Sequence, residues 1–394
     1  MNKTKIIGLV LSCTGSSYGM NLQAYATQYI IEKLGYETEI IKFKSGSSLK
    51  GLRPDFGLLV FLPRFVFGRF FTKKADNSVL CDDIHINNDQ SRVEVAKQFR
   101  TKRLHNFTKE LTFDELQLYC KKYDAVLIGS DQGWLPGFAF GRRNSLRFVP
   151  EGIPRLSYAT SLGVSSYPWY CRRSSRLVWK EFSHISVREE EGRSIITQIC
   201  GDDFPVEVVV DPTYLITTKE WDVLIPFEKQ EEDEYVLSFI LGNDVEQQKS
   251  VRRFANSKRL KLVSILSNES TSPIDLIYPD RVIVGAPPEQ FINLIRGAKY
   301  VFTDSFHGIA FSIINRKQLF VFYRRRLGEG KKDSRNSRID NILRLWGISE
   351  QLIADPSIID WSAETFKVID FDQVHRIIER ERVRSLDYLR KALP

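Results

Sequence analysis

Cysteine, histidine and methionine are scarce in this sequence, and the chemistry that depends on them is restricted accordingly. The 394 residues include five cysteines, five histidines and two methionines. The cysteines are odd in number, no two of them form a C-x-x-C pair, and they are Cys13, Cys81, Cys120, Cys171 and Cys200. This pattern argues against a disulfide framework and against the common zinc sites. We therefore expect buried, reduced thiols in a cytoplasmic protein.

Long apolar runs are also absent. No stretch approaches the ~20 apolar residues that a membrane-spanning helix needs. The apolar core Ile6–Leu11 is shorter than that of a signal peptide and continues into a Gly/Ser turn, so we interpret it as a first β-strand. Leu52–Lys74 interleaves Phe and Leu with Arg and Lys. Contact with a lipid surface and a buried or oligomer-forming segment are both open interpretations of that stretch.

Positive charge is in excess. Lys and Arg number 57 against 49 Asp and Glu, which gives a formal charge of +8 and a pI near 9.1. This balance suits anionic partners such as phosphorylated metabolites, nucleotides, nucleic acid or a lipid surface. No signature of a nucleic-acid module is present, so we do not expect nucleic acid as a partner.

Two consecutive sets of alternating strands and helices run along the chain. The first set opens with a strand at 5–11, a helix at 21–34 ended by Gly35, and strands at 37–43 and 123–128. The second set has strands at 235–241, 260–266, 300–303 and 318–323, with helices between them. The pattern predicts an α/β fold with two Rossmann-like doubly wound domains facing a central cleft. The predicted divisions are an N-terminal domain at 1–215, a C-terminal domain at 232–370 and a C-terminal helix at 371–394.

The stretch VFTDSFHGIAFSII, Val301–Ile314, places a histidine where a strand ends and a helix begins. Asp304 or Ser305 is suited to cap that helix, which leaves nearby backbone N–H groups and Gly308 to face an anion. A bound anion would favour the charged form of His307. The motif is equally compatible with a catalytic histidine and with a histidine that only caps the helix or packs against it.

Two basic stretches are candidate anion ligands. In S-V-R-E-E-E-G, a strand ends at Arg188, whose planar guanidinium suits a carboxylate or a phosphate. An arginine in a surface or structural salt bridge is the alternative. The stretch Tyr323–Arg338, which includes Arg325, suits a basic loop that closes over a phosphate, or one that is simply solvated.

Two turns are expected to face the same cleft. One is Gly15–Gly19, before the first helix, and the other is I-G-S-D-Q at Ile128–Gln132. Neither matches a dinucleotide-binding or P-loop motif. Asp131 is an acid/base candidate, with a structural turn as the alternative.

Seven short motifs, taken in order, carry a family resemblance. They are Y-G-M-N-L-Q-A-Y-A-T (Tyr18–Thr27), V-L-I-G-S-D-Q-G-W (Val126–Trp134), L-S-Y-A-T-S-L-G (Leu156–Gly163), S-V-R-E (Ser186–Glu189), V-D-P-T (Val210–Thr213), T-D-S-F-H-G (Thr303–Gly308) and S-R-I (Ser337–Ile339). The sequence resembles the polysaccharide pyruvyl transferase family from about residue 7 to residue 348. It departs from the family pattern at Gly133–Leu135, just after G-S-D-Q.

The resemblance implies a fold like that of the GT-B glycosyltransferases and a specific reaction. Family members move the pyruvyl group of phosphoenolpyruvate onto two hydroxyls of a sugar, which forms a cyclic ketal and releases phosphate. By motif, His307 is the implied acid/base group, and Asp131 joins it as the catalytic candidate from the I-G-S-D-Q turn. The implied donor-binding residues are Arg188, Ser305, Gly308, Arg338 and Arg325, and the implied acceptor-binding residues are Asn21, Gln23, Asp131 and Gln132.

The implied acceptor is a surface-polysaccharide intermediate of a capsule or exopolysaccharide, and its attachment to a lipid is open. Phosphoenolpyruvate is a co-substrate, and the reaction needs no metal and no further cofactor. We expect a cytoplasmic protein, with peripheral contact at the inner face of the membrane as an open point. A GT-B glycosyltransferase that uses a nucleotide sugar and a non-catalytic anion-binding protein of the same fold are the alternatives.

Overall fold

Two parallel β-sheets form the framework of the protein, one in each half of the chain. The computed structural model describes residues 4–44, 59–60, 82–266, 274–325, 336–362 and 366–394. The first sheet has the order β2-β1-β3-β4, and its strands are β1 (Ile6–Val10), β2 (Glu37–Ile40), β3 (Ala125–Ile128) and β4 (Arg155–Ser157). All of its pairings are parallel. The order places a topological switch point between β1 and β3, where the loops after both strands diverge.

A short parallel pair extends this first sheet. It consists of β5 (Ser186–Val187) and β6 (Glu207–Val208). Ser157 N donates to His184 O over 3.1 Å, which places this chain segment beside β4. The loops that follow β3, β4 and β5 therefore emerge along one edge of the sheet.

The helices of the first half of the chain pack on the first sheet or follow it in the sequence. They are α1 (Tyr18–Lys33), α2 (Asp82–Arg103), α3 (Phe113–Tyr119), α4 (Trp169–Trp179), α5 (Glu190–Cys200) and α6 (Thr218–Leu224). Gly35 follows α1 with φ +96°, a left-handed conformation that glycine adopts at little cost. This glycine ends the helix at the position that the sequence predicts.

The second sheet has the strand order of a Rossmann fold. The order is β12-β11-β10-β7-β8-β9, with every pairing parallel. The strands are β7 (Tyr235–Phe239), β8 (Lys261–Ile265), β9 (Arg281–Ile283), β10 (Tyr300–Thr303), β11 (Gln318–Phe322) and β12 (Leu352–Ile353). Its switch point lies between β7 and β10, so the T-D-S-F-H-G motif follows directly from it.

The helices of the second half cover this sheet. They are α7 (Val245–Lys258), α8 (Ile274–Ile277), α9 (Pro288–Gly297), α10 (Phe306–Ile314), α11 (Ser337–Trp346) and α12 (Phe371–Ala392). Ser305 caps α10, because its hydroxyl accepts a hydrogen bond from Gly308 N over 3.4 Å. His307 therefore lies in the first turn of the helix.

One continuous apolar core joins the two halves. The ring of Tyr18 in α1 stacks on Phe291 of α9 with centroids 4.6 Å apart. Trp221 of α6 packs edge-on against Phe311 of α10 at 5.3 Å. Burying aromatic surface of this size is strongly favourable. This packing holds the two sheets so that the carboxyl ends of their strands face each other.

The C-terminal helix α12 crosses back onto the first half. Ser385 Oγ accepts from Val210 N over 3.1 Å, and Tyr388 Oη donates to Ser157 O over 2.8 Å. Both bonds are buried. The first bond holds the residue directly before Asp211, which belongs to the candidate site, and the second holds the end of β4.

Most of the predicted elements are confirmed, and some of their bounds are wrong. The strand predicted at 300–303 has those ends in the structure, whereas the first helix begins at Tyr18 and not at Asn21. The reason is tertiary, since the Tyr18 ring packs against Phe291. The strand predicted to reach Phe43 ends at Ile40.

Candidate functional site

His307 lies where the two halves meet. Its side chain is 12% exposed, and its Nε2 is 3.7 Å from Asp211 Oδ2 in the other half of the chain. That distance suits an ion pair but is too long for a hydrogen bond. Within the described residues, this buried nitrogen has no hydrogen-bond partner. The imidazole is therefore held beside a carboxylate with one ring nitrogen available to a ligand.

Asp211 is fully buried and organises the first-half side of the site. Its Oδ2 accepts from Arg188 Nη1 over 2.8 Å and from Ser130 Oγ over 2.9 Å. Its Oδ1 accepts from the backbone and hydroxyl of Thr213. Burial alone would raise the pKa of this carboxyl, but the facing imidazole of His307 and the guanidinium of Arg188 lower it well below its usual range. Asp211 is thus ionised and fixed.

Arg188 is held rigidly at the end of β5. Burial opposes its charge, but Glu189 and Asp211 outweigh that effect and raise the pKa of the guanidinium. Its Nε donates to Glu189 Oε1 over 3.0 Å, and the group lies over the ring of Phe306 at 4.1 Å. Its Nη2 is buried and has no acceptor among the described residues. A ligand oxygen would satisfy this donor.

A second arginine enters the same cluster from α11. Burial and the neighbouring Arg188 lower the pKa of Arg338 to about 10. With the Gln132 amide turned so that its oxygen faces the guanidinium, that oxygen accepts from both terminal nitrogens over 3.1 and 3.2 Å. The Nε of Arg338 is buried without an acceptor in the described part of the chain. Two guanidinium groups thus each retain one unused donor.

Asp131 adopts an unusual backbone conformation beside these groups. Its φ is +83°, in the left-handed region that non-glycine residues seldom adopt. Ser161 N donates to its carbonyl over 2.8 Å and helps to hold it there. Its half-buried carboxylate faces Arg188 and Arg338 closely enough to influence both. Strained residues of this kind cluster at functional sites.

Gly19 gives His307 the space that it occupies. A Cβ at this position of α1 would lie 1.9 Å from the imidazole Nδ1. No real side chain tolerates such a contact, so the helix approaches the histidine closely only because glycine is present. A cavity of about 230 Å³ borders the two residues, and Ser16, Ser17 and Ser305 also line it.

Five other predicted site residues have roles that the structure makes visible. Gly308 packs against Thr303, and its N–H is taken up by the Ser305 cap. Asn21 and Gln23 are fully buried, and their amides donate to carbonyl groups of the loop between β1 and α1. Direct contact of either with an acceptor would require that loop to move. Arg325 lies apart from the cluster, where it donates to Ala354 O over 2.9 Å.

Some predictions fall outside the described residues. They concern the central part of the basic loop at 326–335, almost all of the apolar and basic stretch at 52–74, and Cys81. The other four cysteines are buried, and none of them forms a disulfide within the described residues. Among the described residues, no group of three or more His, Cys, Asp or Glu is arranged to hold a metal ion. No helix described in the structure has the length and apolar content to cross a membrane.

Two acidic residues of the cluster have no assigned role in the sequence analysis. Asp211 belongs to the quoted V-D-P-T motif, and Glu189 follows Arg188 in S-V-R-E. For Asp211, the available sequence signal was a carboxylate directly after an apolar strand and before a proline. Its meaning depends on His307, 96 positions further along, which no local pattern connects to it.

The fold and the site together define a class of protein. Two Rossmann-like halves meet at a cleft, as in the GT-B fold, and two buried arginines, an ionised aspartate and a histidine converge there. The sequence model of the family described as polysaccharide pyruvyl transferase matches residues 18–326. The chain belongs to the polysaccharide pyruvyl transferase family and is thus a transferase.

Solved structures with similar folds are distant in sequence. The UDP-GlcNAc 2-epimerase of Methanocaldococcus jannaschii is 11% identical at a TM-score of 0.48, covering 97% of this chain and 99% of that one. The glycosyltransferase SnogD of Streptomyces nogalater is 12% identical at 0.42, covering 99% and 98%. None of this likeness bears on the reaction. No curated protein sequence matches the chain.

Proposed function

We propose that this protein transfers the pyruvyl group of phosphoenolpyruvate onto two hydroxyls of a sugar. The acceptor is an intermediate of a surface polysaccharide, such as a capsule or an exopolysaccharide. The product is a cyclic ketal, and phosphate is released. The family supports pyruvyl transfer, and the chemistry of the cluster supports this donor.

The observation that carries the proposal is the pair of unused arginine donors beside His307. Arg188 Nη2 and Arg338 Nε are both buried without an acceptor among the described residues. A buried donor without a partner is costly, on the order of 1–3 kcal/mol. Phosphoenolpyruvate carries a carboxylate and a phosphate, and oxygens of these groups would satisfy both donors. The positive end of the α10 dipole, at Ser305, adds to the attraction.

His307 is the proposed acid. In its charged form it gives a proton to the methylene carbon of phosphoenolpyruvate, and the adjacent carbon becomes oxocarbenium-like. A sugar hydroxyl attacks that carbon and loses its proton to Asp131 or to solvent. The C–O bond to phosphate then breaks, and a second hydroxyl attacks the same carbon and gives its proton to the now neutral His307, which closes the ketal ring and restores the acid. Asp211 stabilises the imidazolium before the transfer, and Arg188 neutralises the departing phosphate.

The proposed acceptor side of the cleft consists of Asp131, Gln132 and the loop between β1 and α1. Asp131 and Gln132 border the arginines, and Asn21 and Gln23 hold the loop in place. A lipid-linked acceptor and peripheral membrane contact belong to the proposal through the basic, apolar stretch at 52–74. Phosphoenolpyruvate is the co-substrate, and none of the steps requires a metal or another cofactor.

Substitution of His307 tests the role of the imidazole. The His307→Ala protein should lose transfer by about 10²–10⁴-fold, the usual contribution of a general acid. Phosphate release and the mass of the sugar product report on the reaction, and circular dichroism reports on folding. His184→Ala is the matched control, because that side chain is exposed. Unchanged turnover of His307→Ala would remove this histidine from the mechanism.

Calorimetry distinguishes the donor from its main competitor. The wild type should bind phosphoenolpyruvate, and Arg188→Gln should weaken that binding by at least about tenfold, a loss equivalent to ~1.4 kcal/mol. Tight binding of a nucleotide sugar, with no binding of phosphoenolpyruvate, would instead identify a GT-B glycosyltransferase. Binding of phosphoenolpyruvate without any transfer to a panel of pyranosides would favour a non-catalytic protein.

A further inference from the structure

A large basic pocket lies in the first half of the protein, away from the arginines of the donor cluster. Its volume is about 730 Å³, within the range of small-molecule sites, roughly 300–1,000 Å³. We call this cavity the basic pocket, because four cationic side chains line it: Lys42, Lys97, Arg100 and Arg143. Among the lining residues that the structure describes, Glu110 is the only acidic one, and it is exposed. The proposed reaction uses none of these residues.

Two of the cations are partly buried without a carboxylate partner. Burial lowers the pKa of Arg100 and of Arg143. Among the described residues neither forms a salt bridge, in contrast to Arg188 with its two carboxylates. Charge that is withdrawn from water without a counter-charge is costly. An anionic ligand would remove that cost.

Both guanidinium groups are held in place by neutral acceptors, two of them backbone carbonyls and one a side-chain amide. Arg143 Nη2 donates to Leu11 O over 2.6 Å. Arg100 Nη1 donates to Gly15 O over 2.9 Å and to Asn21 Oδ1 over 3.2 Å. These bonds orient the side chains but do not neutralise them. The pocket is therefore prearranged for an anion.

The basic pocket and the His307 cavity share one loop. Cys13 and Thr14 line the basic pocket, while Ser16 and Ser17 line the cavity that His307 borders. Thr14 and Ser17 are three positions apart, at most about 10 Å of extended chain. A ligand of moderate length can thus contact His307 with one end and the basic pocket with the other.

We infer that the basic pocket binds a phosphate or diphosphate group attached to the sugar acceptor. The inference rests on the proposed function, in which the sugar itself lies beside His307. A sugar diphosphate comes either from a nucleotide sugar or from a lipid-linked sugar, and the recognised chemistry is the same in both. The apolar walls at Ile41, Phe43 and Phe107 accommodate the group to which the diphosphate is attached.

Binding of inorganic pyrophosphate tests the pocket directly. Calorimetry is carried out with phosphoenolpyruvate at saturation, so that the donor site is occupied. The wild type should bind pyrophosphate, and binding should weaken as salt is added. The Lys42→Gln, Arg143→Gln double variant should bind at least about tenfold more weakly.

The matched control is Lys44→Gln, Lys109→Gln. It removes the same total charge from exposed lysines that do not line the basic pocket. It should bind pyrophosphate as the wild type does. Equal weakening in both double variants would show a nonspecific effect of net charge and would overturn the inference, as would the absence of pyrophosphate binding to the wild type.

A single variant guards against misfolding of the double variant. Lys42 is exposed, and its Nζ lies 4.6 Å from the centroid of the Phe107 ring, so its substitution should not disturb the fold. Lys42→Glu should keep the melting temperature and still weaken pyrophosphate binding by more than Lys42→Gln does. Binding that is indifferent to this charge reversal would overturn the inference.

An acceptor series then identifies the source of the phosphate. One pyranoside is supplied as a methyl glycoside, a 1-phosphate, a nucleoside diphosphate derivative and a polyprenyl diphosphate derivative. At least one phosphorylated form should have a KM about tenfold or more below that of the methyl glycoside, and the Lys42→Gln, Arg143→Gln variant should lose this advantage. The form with the lowest KM identifies the source.

The two proposals fail in different ways. Equal KM values for the neutral and phosphorylated acceptors would overturn the inference and leave pyruvyl transfer intact. Failure of phosphoenolpyruvate to bind at all would contradict the proposed function. Pyrophosphate binding that is lost only in the pocket variant would still report a real anion site in that case.

Discussion

At the scale of single residues, the site depends on close approach. His307 has a carboxylate on one side and the backbone of α1 on the other. Its neighbour Asp211 is fixed by Arg188, Ser130 and Thr213, so the imidazole faces a rigid negative charge. Such prearranged electrostatics are usually the largest contribution to catalysis.

Gly19→Ala tests whether this close approach matters. The new methyl group would lie 1.9 Å from His307 Nδ1, so the ring must move. A misplacement of about 1 Å costs roughly 10²-fold in rate, and we expect that loss in kcat for pyruvyl transfer. Alanine favours helices over glycine by about 1 kcal/mol, so the protein should remain folded. Kinetics and a thermal melt measure the two effects.

Gly15→Ala is the matched control for that variant. Its methyl group would meet only the flexible end of the Met20 side chain, at 3.0 Å. Because Gly15 lies on the loop of the proposed acceptor side and its new methyl group would not meet His307, we expect a near-normal kcat at saturating acceptor. If both alanine variants transfer pyruvyl groups at the rate of the wild type, the geometry around His307 is not limiting.

Asp211→Asn tests the buried charge. Removing one partner of a buried ion pair destabilises a protein on the order of 3 kcal/mol, and we expect this loss at neutral pH. Because the folded state lowers the pKa of Asp211, its contribution is complete above the unfolded value of 3.8 and is lost as pH falls below it. The difference in free energy of unfolding from the wild type should therefore be at its full size at about pH 5 and narrow as the pH falls below about 4.

Urea unfolding at several pH values measures that difference. Asp203→Asn serves as the control, because Asp203 is exposed. A stability of Asp211→Asn equal to that of the control would show that the ion pair does not support the fold.

At the scale of elements, Asp304 connects two strands at the switch point of the second sheet. Its carboxylate accepts from Leu241 N over 2.7 Å and from Gly242 N over 2.8 Å, just after β7. The residue itself ends β10 and leads into α10. Asp304 is thus structural, and Ser305 is the residue that caps the helix. The motif combines a structural acid with the proposed catalytic histidine.

Asp304→Ala should lower the free energy of unfolding by about 2–4 kcal/mol. The reason is that two N–H groups, one buried and one partly buried, lose their acceptor, and the cost of an unpaired buried N–H is about 1–3 kcal/mol. Asp370→Ala is a close comparison, because that carboxylate also accepts from two backbone N–H groups but is exposed. Asp370→Ala should lower the free energy of unfolding by about 1 kcal/mol, the usual effect of removing a helix cap. Urea titration of the two variants measures the difference, and equal losses would contradict this role of burial.

The elements were largely predictable from sequence, and their exceptions have physical causes. The strands are short apolar runs with turn residues after them, which is a local signal. The start of α1 was not predictable, because Tyr18 joins the helix to pack on Phe291, a contact across 273 positions. Helix α2 has few apolar residues and no prediction in the sequence analysis.

At the scale of the whole molecule, the site exists only because the halves are joined. Arg188, Asp211 and His307 come from distant segments, and the shared core with α12 brings them together. From the sequence alone, each of the three residues can be placed at the end of a strand, but the distances between them cannot be predicted. The family resemblance supplied the association of Arg188 with His307, and the structure adds Asp211, 3.7 Å from His307.

The most direct test of the account is transfer from labelled donor to sugar. Wild-type protein is incubated with ¹³C-labelled phosphoenolpyruvate and a set of neutral and phosphorylated pyranosides, and the products are read by mass spectrometry. The account predicts a labelled ketal on the sugar, one phosphate released per ketal, and neither product with His307→Ala. Unlabelled sugars throughout the set, with phosphoenolpyruvate left intact by the wild type, would contradict it.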